Sequence, residues 1–367
     1  ALLMITLIYL SSYGIKTNKF NNLINDQIKD LDQDLSLETK DVFLKLRLED
    51  KSIKIHTSNP KIFLGKNYID LSKIEVDINL IKFLKNEKSI KKVKIVTKEN
   101  SIKNLTDFIN SYKFNLQQFI IFNQIEKGKA KITANIYFNQ GNQSNYQYKV
   151  IGEIKEAELN IINKAVIKNI NFNFDIEDQD VVFQNINLKF DNIDFESKKI
   201  TIKKIKNNFK VIGDLKNKKS IVNPNSIFKL FNLNFDFIDQ DELLFETNNK
   251  FSFNIDAKRQ VKNLNYKSNL IFDKIFINKK YQDLIFLSDG TIEAEYSNKN
   301  LDIKIDSDYS FLNNDYNSQE DKKNIIINIK KNNKDNLKVE SLLTNEKTKI
   351  NSKELTKYFQ IDKKLFK

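Results

Sequence analysis

Strict alternation of apolar and polar residues marks the stretch from Leu35 to Val96. Leu44, Leu46 and Leu48 fall on one side of an extended chain, and the charged residues between them fall on the other. The same alternation recurs over 74–80. A period of two is typical of strands with one apolar face and one solvated face. The sequence therefore predicts paired strands here rather than helices.

The alternation resumes after Lys127 and continues, with turns, to about residue 329. Three short helical interruptions are predicted, over 79–84, 104–109 and 225–231, from their apolar spacing and the polar residues that precede them. A chain of this kind belongs to the mainly β class.

The formal charge of +13 comes from 61 basic and 48 acidic residues, and nearly all of the bases are Lys. Arg47 and Arg259 are the only arginines. Proteins that bind phosphate groups favour Arg, whose planar fork makes paired hydrogen bonds. We therefore expect no nucleic-acid partner, although the positive charge suits an anionic membrane surface.

The chain lacks the residues on which most catalytic and metal sites depend. It has no Cys, a single His and only seven Gly, so thiolate sites, paired imidazoles and glycine-rich phosphate loops are excluded. Alternation places His56 on the polar face of a strand beside Lys54. The sequence predicts no catalytic residue, no metal site and no cofactor, and we expect that the protein is not an enzyme.

The first thirteen residues carry no charged side chain. The run is shorter than the roughly 20 apolar residues that a membrane span needs, and the chain opens on Ala1. We expect a membrane anchor over 1–14 that is truncated at its start. The core of a secretory signal peptide is the alternative. Apolar residues at three- and four-residue spacing then predict an amphipathic helix over 15–35.

Alternation alone leaves open what covers the apolar face of the strands. A second sheet makes a sandwich, closure makes a barrel, and an open curved sheet leaves an apolar groove that can hold acyl chains. The candidate lining residues are the apolar members of the alternating strands: Leu44, Leu46, Leu48, Ile53, Ile55, Ile74, Val76, Ile78, Ile132, Ile136, Phe172, Phe174, Leu188, Phe190, Phe253 and Ile255.

The order of elements resembles the start of the AsmA-like family (AsmA, TamB and YhdP type) and, more distantly, the chorein-type lipid-transfer proteins. The resemblance covers about the first 110 residues and rests on residue classes rather than on invariant residues. In chain order, the matching elements begin with an apolar segment and an amphipathic segment, followed by strands around Leu44, Ile53 and Ile62. Next come a strand over 69–80 with a short helix that ends at Leu84, a strand of the form I-x-x-V-x-I over 90–95, and a further short helix at 104–108.

The resemblance implies a long curved antiparallel sheet forming an elongated apolar groove, with an N-terminal transmembrane helix and a few short helices. It divides the chain into an anchor over 1–14, the helix over 15–35, an N-terminal β module over 36–112 and a groove continuation over 113–367 that we expect to be truncated at its C-terminus. It places the protein at a bacterial inner membrane with its bulk in the periplasm.

The function that the resemblance implies is binding phospholipid and passing it between the inner and outer membranes, in support of outer-membrane integrity. The partners would be phospholipid and the inner membrane. One alternative is a β scaffold that assists the assembly of outer-membrane proteins, which would then be its partners. A second alternative is an extracellular β-sandwich adhesin.

Overall fold

The computed structural model is built almost entirely of strands, which account for 78% of the residues that it describes. The described residues are 8–18, 21, 33–39, 42–85, 87, 89–112, 125–138, 146–160, 166–190, 193–224, 238, 240–258, 260–276, 285–297, 299–311, 323–332, 338–345 and 348–350. The prediction of a mainly β, antiparallel protein with few short helices is confirmed.

The chain divides into two compact units. Unit 1 comprises Ala1–Ile161 and Val166–Gln184, and unit 2 comprises Ile162–Ala165 and Asn185–Lys367. The division falls within one strand, Asp180–Phe190.

Among its described residues, unit 1 is mainly strand, with helical residues at 8–12 and two further short helices. The strands are β1 (Ile15–Thr17), β2 (Leu35–Glu38), β3 (Val42–Arg47), β4 (Ser52–Ser58), β5 (Lys61–Leu64), β6 (Asn67–Asn79), β7 (Ile90–Thr97), β8 (Asn100–Ser101), β9 (Ile125–Phe138), β10 (Tyr146–Asn160), β11 (Val166–Glu177) and the start of β12 (Asp180–Phe190). The helices are α1 (Leu80–Leu84) and α2 (Ile102–Tyr112).

Antiparallel pairing orders these strands as β1–β3–β4–β6–β7–β9–β10–β11. The first half of the long strand β6 pairs instead with β5, which pairs with β2. The two halves of β6 therefore serve two different ladders, and this places β2 and β5 beside one end of the main sheet.

One prediction for the N-terminal region needs correction. The helix expected over 15–35 is wrong at both ends, because Ile15–Thr17 pairs with β3 and Leu35 begins β2; residues 22–32 lie outside the described part. The backbone hydrogen bonds of a neighbouring strand outweigh the helical spacing there. Within the described ranges, no helix is both long and apolar enough to cross a membrane.

The two predicted helices of the N-terminal module are confirmed. Asn79 caps α1, since its side-chain oxygen accepts hydrogen bonds from the backbone N–H groups of Ile81 at 3.0 Å and Lys82 at 3.2 Å. The second helix, α2, is longer than predicted and begins at Ile102. The helix predicted over 225–231 lies outside the described residues.

Helix α2 covers one end of the apolar face of unit 1. Ile102 and Leu105 are buried, and the helix packs on β5, β6, β8 and β9. The buried cluster between the helix and the strands consists of Ile69, Leu71, Ile102, Leu105, Ala130 and Ala157. This end of the face is closed by the chain itself.

In unit 2 every described strand pairs with the next strand along the chain, in antiparallel fashion. The strands are β13 (Ile193–Ile205), β14 (Asn208–Val222), β15 (Leu243–Ile255), β16 (Val261–Phe276), β17 (Ile285–Ser297), β18 (Asn300–Phe311), β19 (Lys323–Lys331), β20 (Lys338–Asn345) and β21 (Thr348–Ile350). The buried cluster is Ile193, Val222, Phe245, Phe272, Ile275, Leu287, Tyr309 and Ile325.

Three strand glycines each lie directly opposite a Phe on the neighbouring strand: Gly152 opposite Phe174, Gly213 opposite Phe251 and Gly290 opposite Phe272. In each pair the aromatic ring occupies the space that a Cβ would need. A Cβ on Gly152 would lie 2.5 Å from Cζ of Phe174, and a Cβ on Gly213 would lie 2.8 Å from Cζ of Phe251. The glycines therefore leave the space that the rings occupy.

A local motif of the form Asn-x-Asn recurs in the strands at 169–171, 185–187 and 263–265. The first Asn has a left-handed backbone, with φ of 51°, 53° and 52° in turn. The side-chain amide of the second Asn donates to the carbonyl oxygen of the first, at 2.7, 3.3 and 3.3 Å. The first and third motifs adjoin shifts in strand register. Asn tolerates this backbone better than most residues, so the motif is suited to β-bulges.

Replacement of Leu105 by Ala tests the closure of unit 1 by α2. The substitution leaves a cavity under the helix, and we expect the free energy of unfolding to fall by about 2–5 kcal/mol. Ile109→Ala, at an exposed position one turn further along the same helix, is the matched control and should change stability by less than about 1 kcal/mol. Urea denaturation measures both, and equal costs would contradict this packing.

Replacement of Gly290 by Ala tests the Gly–Phe pairs. The ring of Phe272, which is 1% exposed, cannot move aside without disturbing the core, so we expect a loss of about 1–3 kcal/mol. The loss should be smaller in a Phe272→Leu background, because Leu leaves room for the added methyl group. Additive effects of the two substitutions in a double-mutant cycle would disprove the steric account.

Candidate functional site: an apolar face of the sheet

Cross-strand pairing in unit 1 places the predicted lining residues in continuous rows on one face of the sheet. One row runs through Ile15, Leu44, Ile55, Val76, Val93, Ile136 and Tyr148. The next row on one side runs through Leu46, Ile53, Ile78 and Ile90. The next row on the other side runs through Thr57, Ile74, Ile95, Ala134, Val150 and Ile176.

Most of these side chains keep part of their surface accessible. Leu46 and Ile53 are buried, whereas Leu44, Ile55, Ile74, Val76, Ile78, Ile132 and Ile136 are half-buried. Full burial on this face is concentrated at the end beneath α2. The row of Leu44, Ile55 and Val76 is thus packed against its strand neighbours but not sealed, whereas Leu46 and Ile53 in the next row are covered.

Leu48 is not part of the apolar face, although alternation placed it there. Strand β3 ends at Arg47, and Leu48 begins the turn to β4 with 48% of its surface exposed. The period-two rule holds only while the chain stays extended, so a residue one position beyond the strand no longer follows it.

The aromatic candidates of unit 1 extend the same face onto β11. Phe172 lies opposite Ile154, and Phe174 lies opposite Gly152, whose other neighbour is Ile132. The ring of Phe172 meets that of Phe183 edge to face, with centroids 5.3 Å apart. Aromatic side chains therefore continue the apolar surface where Ile and Val rows end.

The candidates of unit 2 are also half-buried strand residues. Leu188 and Phe190 lie on β12. Phe253 lies opposite Val211, and Ile255 lies between Phe209 and Val261 on the neighbouring strands. Exposure is high around Ile255, because Phe209 and Val261 are both exposed.

A polar network interrupts the apolar face of unit 2, and alternation did not single it out. Its members are Asn217, Thr247, Asn249, Tyr266 and Ser268, on β14, β15 and β16. The sequence signal was present, since Thr247 and Asn249 occupy the positions between Phe245 and Phe251 where alternation demands apolar residues. The hydrogen bond from Ser268, on another strand, to Asn249 can be identified only from the structure.

The opposite face of unit 1 carries paired charges. The carboxylate of Glu75 forms ion pairs with two lysines, with its oxygens 2.9 Å from Nζ of Lys73 and 3.4 Å from Nζ of Lys54. Burial opposes ionisation of Glu75, but the hydrogen bond from Lys73 and the charges of both lysines lower its pKa overall. Such pairs keep this face hydrated and add little stability.

His56 lies on this charged face but is less solvated than its sequence position predicted. Its ring stacks on Phe43 with centroids 5.1 Å apart, and it is half-buried. Burial lowers the pKa of His56 below 6.5, aided by Lys54 and Lys73 and opposed by Glu75.

The lowered pKa of His56 predicts a pH dependence of stability. The unfolded chain takes up a proton near pH 6.5, whereas the folded chain does so only at lower pH, so stability should fall as the pH drops from 7.5 toward 5. In His56→Gln this part of the loss should vanish. Urea denaturation of both proteins across this range gives the difference in free energy of unfolding. A difference that does not change with pH would contradict the assignment.

No protein-family model matches the chain, and no curated protein or solved structure matches it either. The functional reading of the apolar face therefore depends on its rows, its partial exposure and its polar network.

Proposed function

We propose that the protein binds phospholipid on the apolar face of its sheet and passes it between the inner and outer membranes of a bacterium. In this proposal the N-terminal segment anchors the chain in the inner membrane, and the sheet forms an apolar groove in the periplasm. The activity would support the integrity of the outer membrane.

The observation that carries the proposal is the partial exposure of the apolar rows in unit 1. Leu44, Ile55, Val76 and Ile136 are half-buried in a row that crosses successive strands. Monomeric soluble proteins rarely leave large contiguous apolar patches exposed. Acyl chains laid along such rows would gain roughly 0.8 kcal/mol for each methylene removed from water. No residue chemistry is needed, since binding and release depend on apolar contact alone.

A membrane location is supported by one end of unit 1. Phe83 and Leu84 on α1 are 51% and 75% exposed, and α1 adjoins the β3–β4 turn through the backbone N–H of Leu80, which donates to the carbonyl oxygen of Lys51 at 2.9 Å. Pairing of β1 with β3 directs Gly14, which precedes Ile15, toward the same turn. Apolar side chains among lysines favour an anionic bilayer surface.

The direct experiment is lipid extraction from the purified chain. The protein is prepared without detergent after expression in bacteria, and phospholipid is quantified by mass spectrometry. We expect stoichiometric phospholipid. Protein free of lipid would refute the proposal, and crosslinks to unfolded outer-membrane barrel proteins in that lipid-free protein would favour the assembly scaffold instead.

Replacement of Ile78 by Asp tests whether the apolar face is the binding surface. A carboxylate in the row of Ile53 and Ile90 should reduce phospholipid binding and transfer between vesicles at least about tenfold, because it must be desolvated by the bound chain. The β-sheet circular dichroism should be retained, since Ile78 is only half-buried.

The matched control is Ile212→Asp, which places the same charge on an exposed strand position flanked by Thr201 and Ser252. It should leave both binding and folding unchanged. If Ile78→Asp unfolds the protein while the Ile212→Asp variant stays folded, the apolar face is the interior of a sandwich.

A further inference from the structure

The polar network of unit 2 lies within otherwise apolar surroundings. Thr247 and Asn249 alternate with Phe245 and Phe251 along β15, so all four side chains lie on one face of the strand. Asn217 and Ser268 are the cross-strand neighbours of Thr247 and Asn249. Five hydrogen-bonding side chains thus divide the apolar face of this unit.

Backbone groups fix the orientation of the innermost member, Asn217, which is 1% exposed. Its amide donates to the carbonyl oxygens of Lys218 at 2.9 Å and Phe245 at 3.4 Å. Its oxygen accepts the backbone N–H of Thr247 at 3.0 Å and also the Thr247 hydroxyl. If the Asn217 amide were flipped, its oxygen would face the carbonyl oxygens of Lys218 and Phe245, which cannot donate a hydrogen bond. The hydroxyl proton of Thr247 is therefore donated to the side-chain oxygen of Asn217.

The orientation of Asn249 follows in the same way. Its amide donates to the carbonyl oxygen of Leu215 and to Oγ1 of Thr247, both at 2.9 Å. Its oxygen then accepts the hydroxyl protons of Tyr266 and Ser268, both at 2.7 Å. Every side-chain proton of the network is therefore already used within the protein.

The accessible unused hydrogen-bonding capacity consists of oxygen lone pairs on Tyr266 and Ser268, at the outer end of the network, since the spare lone pair of Thr247 is buried. Tyr266 is exposed and Ser268 is half-buried, so a ligand can reach them. A site of this kind accepts hydrogen bonds and offers none. It suits a ligand group that carries N–H or O–H, and it gives no hydrogen bond to a quaternary ammonium.

We propose that Tyr266 and Ser268 form a head-group subsite that prefers lipids bearing a hydrogen-bond donor, such as an ethanolamine ammonium or a glycerol hydroxyl, over choline lipids. The subsite rests on the proposed function, because the flanking apolar residues hold the tails. Phe251 lies opposite Tyr266, and Leu270 lies opposite Thr247. A donor-bearing head group is thereby placed between two apolar stretches of one face.

Competition between two zwitterionic lipids tests the subsite without a difference in net charge. The full chain is incubated with vesicles of equal parts dioleoyl phosphatidylethanolamine and dioleoyl phosphatidylcholine, and bound lipid is quantified by mass spectrometry. We expect an ethanolamine preference of about threefold to tenfold, which is the worth of one net hydrogen bond.

The variant Tyr266→Phe/Ser268→Ala/Asn249→Leu removes the outer half of the network and should bind the two lipids equally. Should that variant not fold, Tyr266→Phe alone removes one acceptor and should lower the preference by about twofold or more. Tyr296→Phe is the matched control, because Tyr296 lies opposite Tyr266 and loses the same hydroxyl outside the network. It should retain the full preference.

The outcomes separate the two proposals. Equal binding of both lipids by the unmodified chain would overturn the proposed subsite but not lipid binding. The same conclusion would follow if the ethanolamine preference survived in the network variants, or if Tyr296→Phe lost as much of it as they do. Absence of any bound lipid overturns the proposed function and the subsite together.

Discussion

Antiparallel backbone pairing is the constraint on which the rest of each unit depends. The ladders fix which side chains stand opposite each other, and a slip of one residue would turn every apolar side chain of a strand to the solvated face. The row of Ile55, Val76 and Val93 exists only because the pairing of the three strands sets their apolar residues opposite one another on the same face. Where register does shift, as between Ser252 and Asn254, an Asn-x-Asn segment on the partner strand accommodates the extra residue.

Local patterns in the sequence predicted the strands, the two N-terminal helices and the apolar parity of residues such as Leu44 and Val76. Leu48 and the segment at 15–17 were mispredicted because strand ends and strand partners are set by pairing with distant residues. The Gly–Phe pairs could not have been predicted from spacing, since Gly290 meets Phe272 only once register is known. The same holds for Asn249 and Ser268.

The two faces of unit 1 differ in the contacts that they can make. Ion pairs such as Lys73–Glu75 keep one face in water, and the half-buried rows of the other face offer dispersion and hydrophobic contact to a guest. Helix α2 closes one end, where Leu105 seals the cluster. In unit 2 the polar network adds hydrogen-bond acceptors at a fixed position. The oxygens of Tyr266 and Ser268 keep free lone pairs, while their hydroxyl protons are donated to Asn249. In the proposed binding of lipid, apolar contact alone would hold any acyl chain equally, whereas hydrogen-bond acceptors at a fixed position would discriminate among head groups.

Pairing of each strand in unit 2 with its immediate successor has a consequence for biosynthesis. From β15 to β18, contacts between sequence neighbours close short loops, whose entropic cost is small, so each of these strands can join the growing edge soon after it leaves the ribosome. No strand from β14 to β18 must wait for a distant segment before it finds its partner. An architecture of this kind can also lengthen by duplication of a hairpin at its edge, because the strands already in place keep their neighbours.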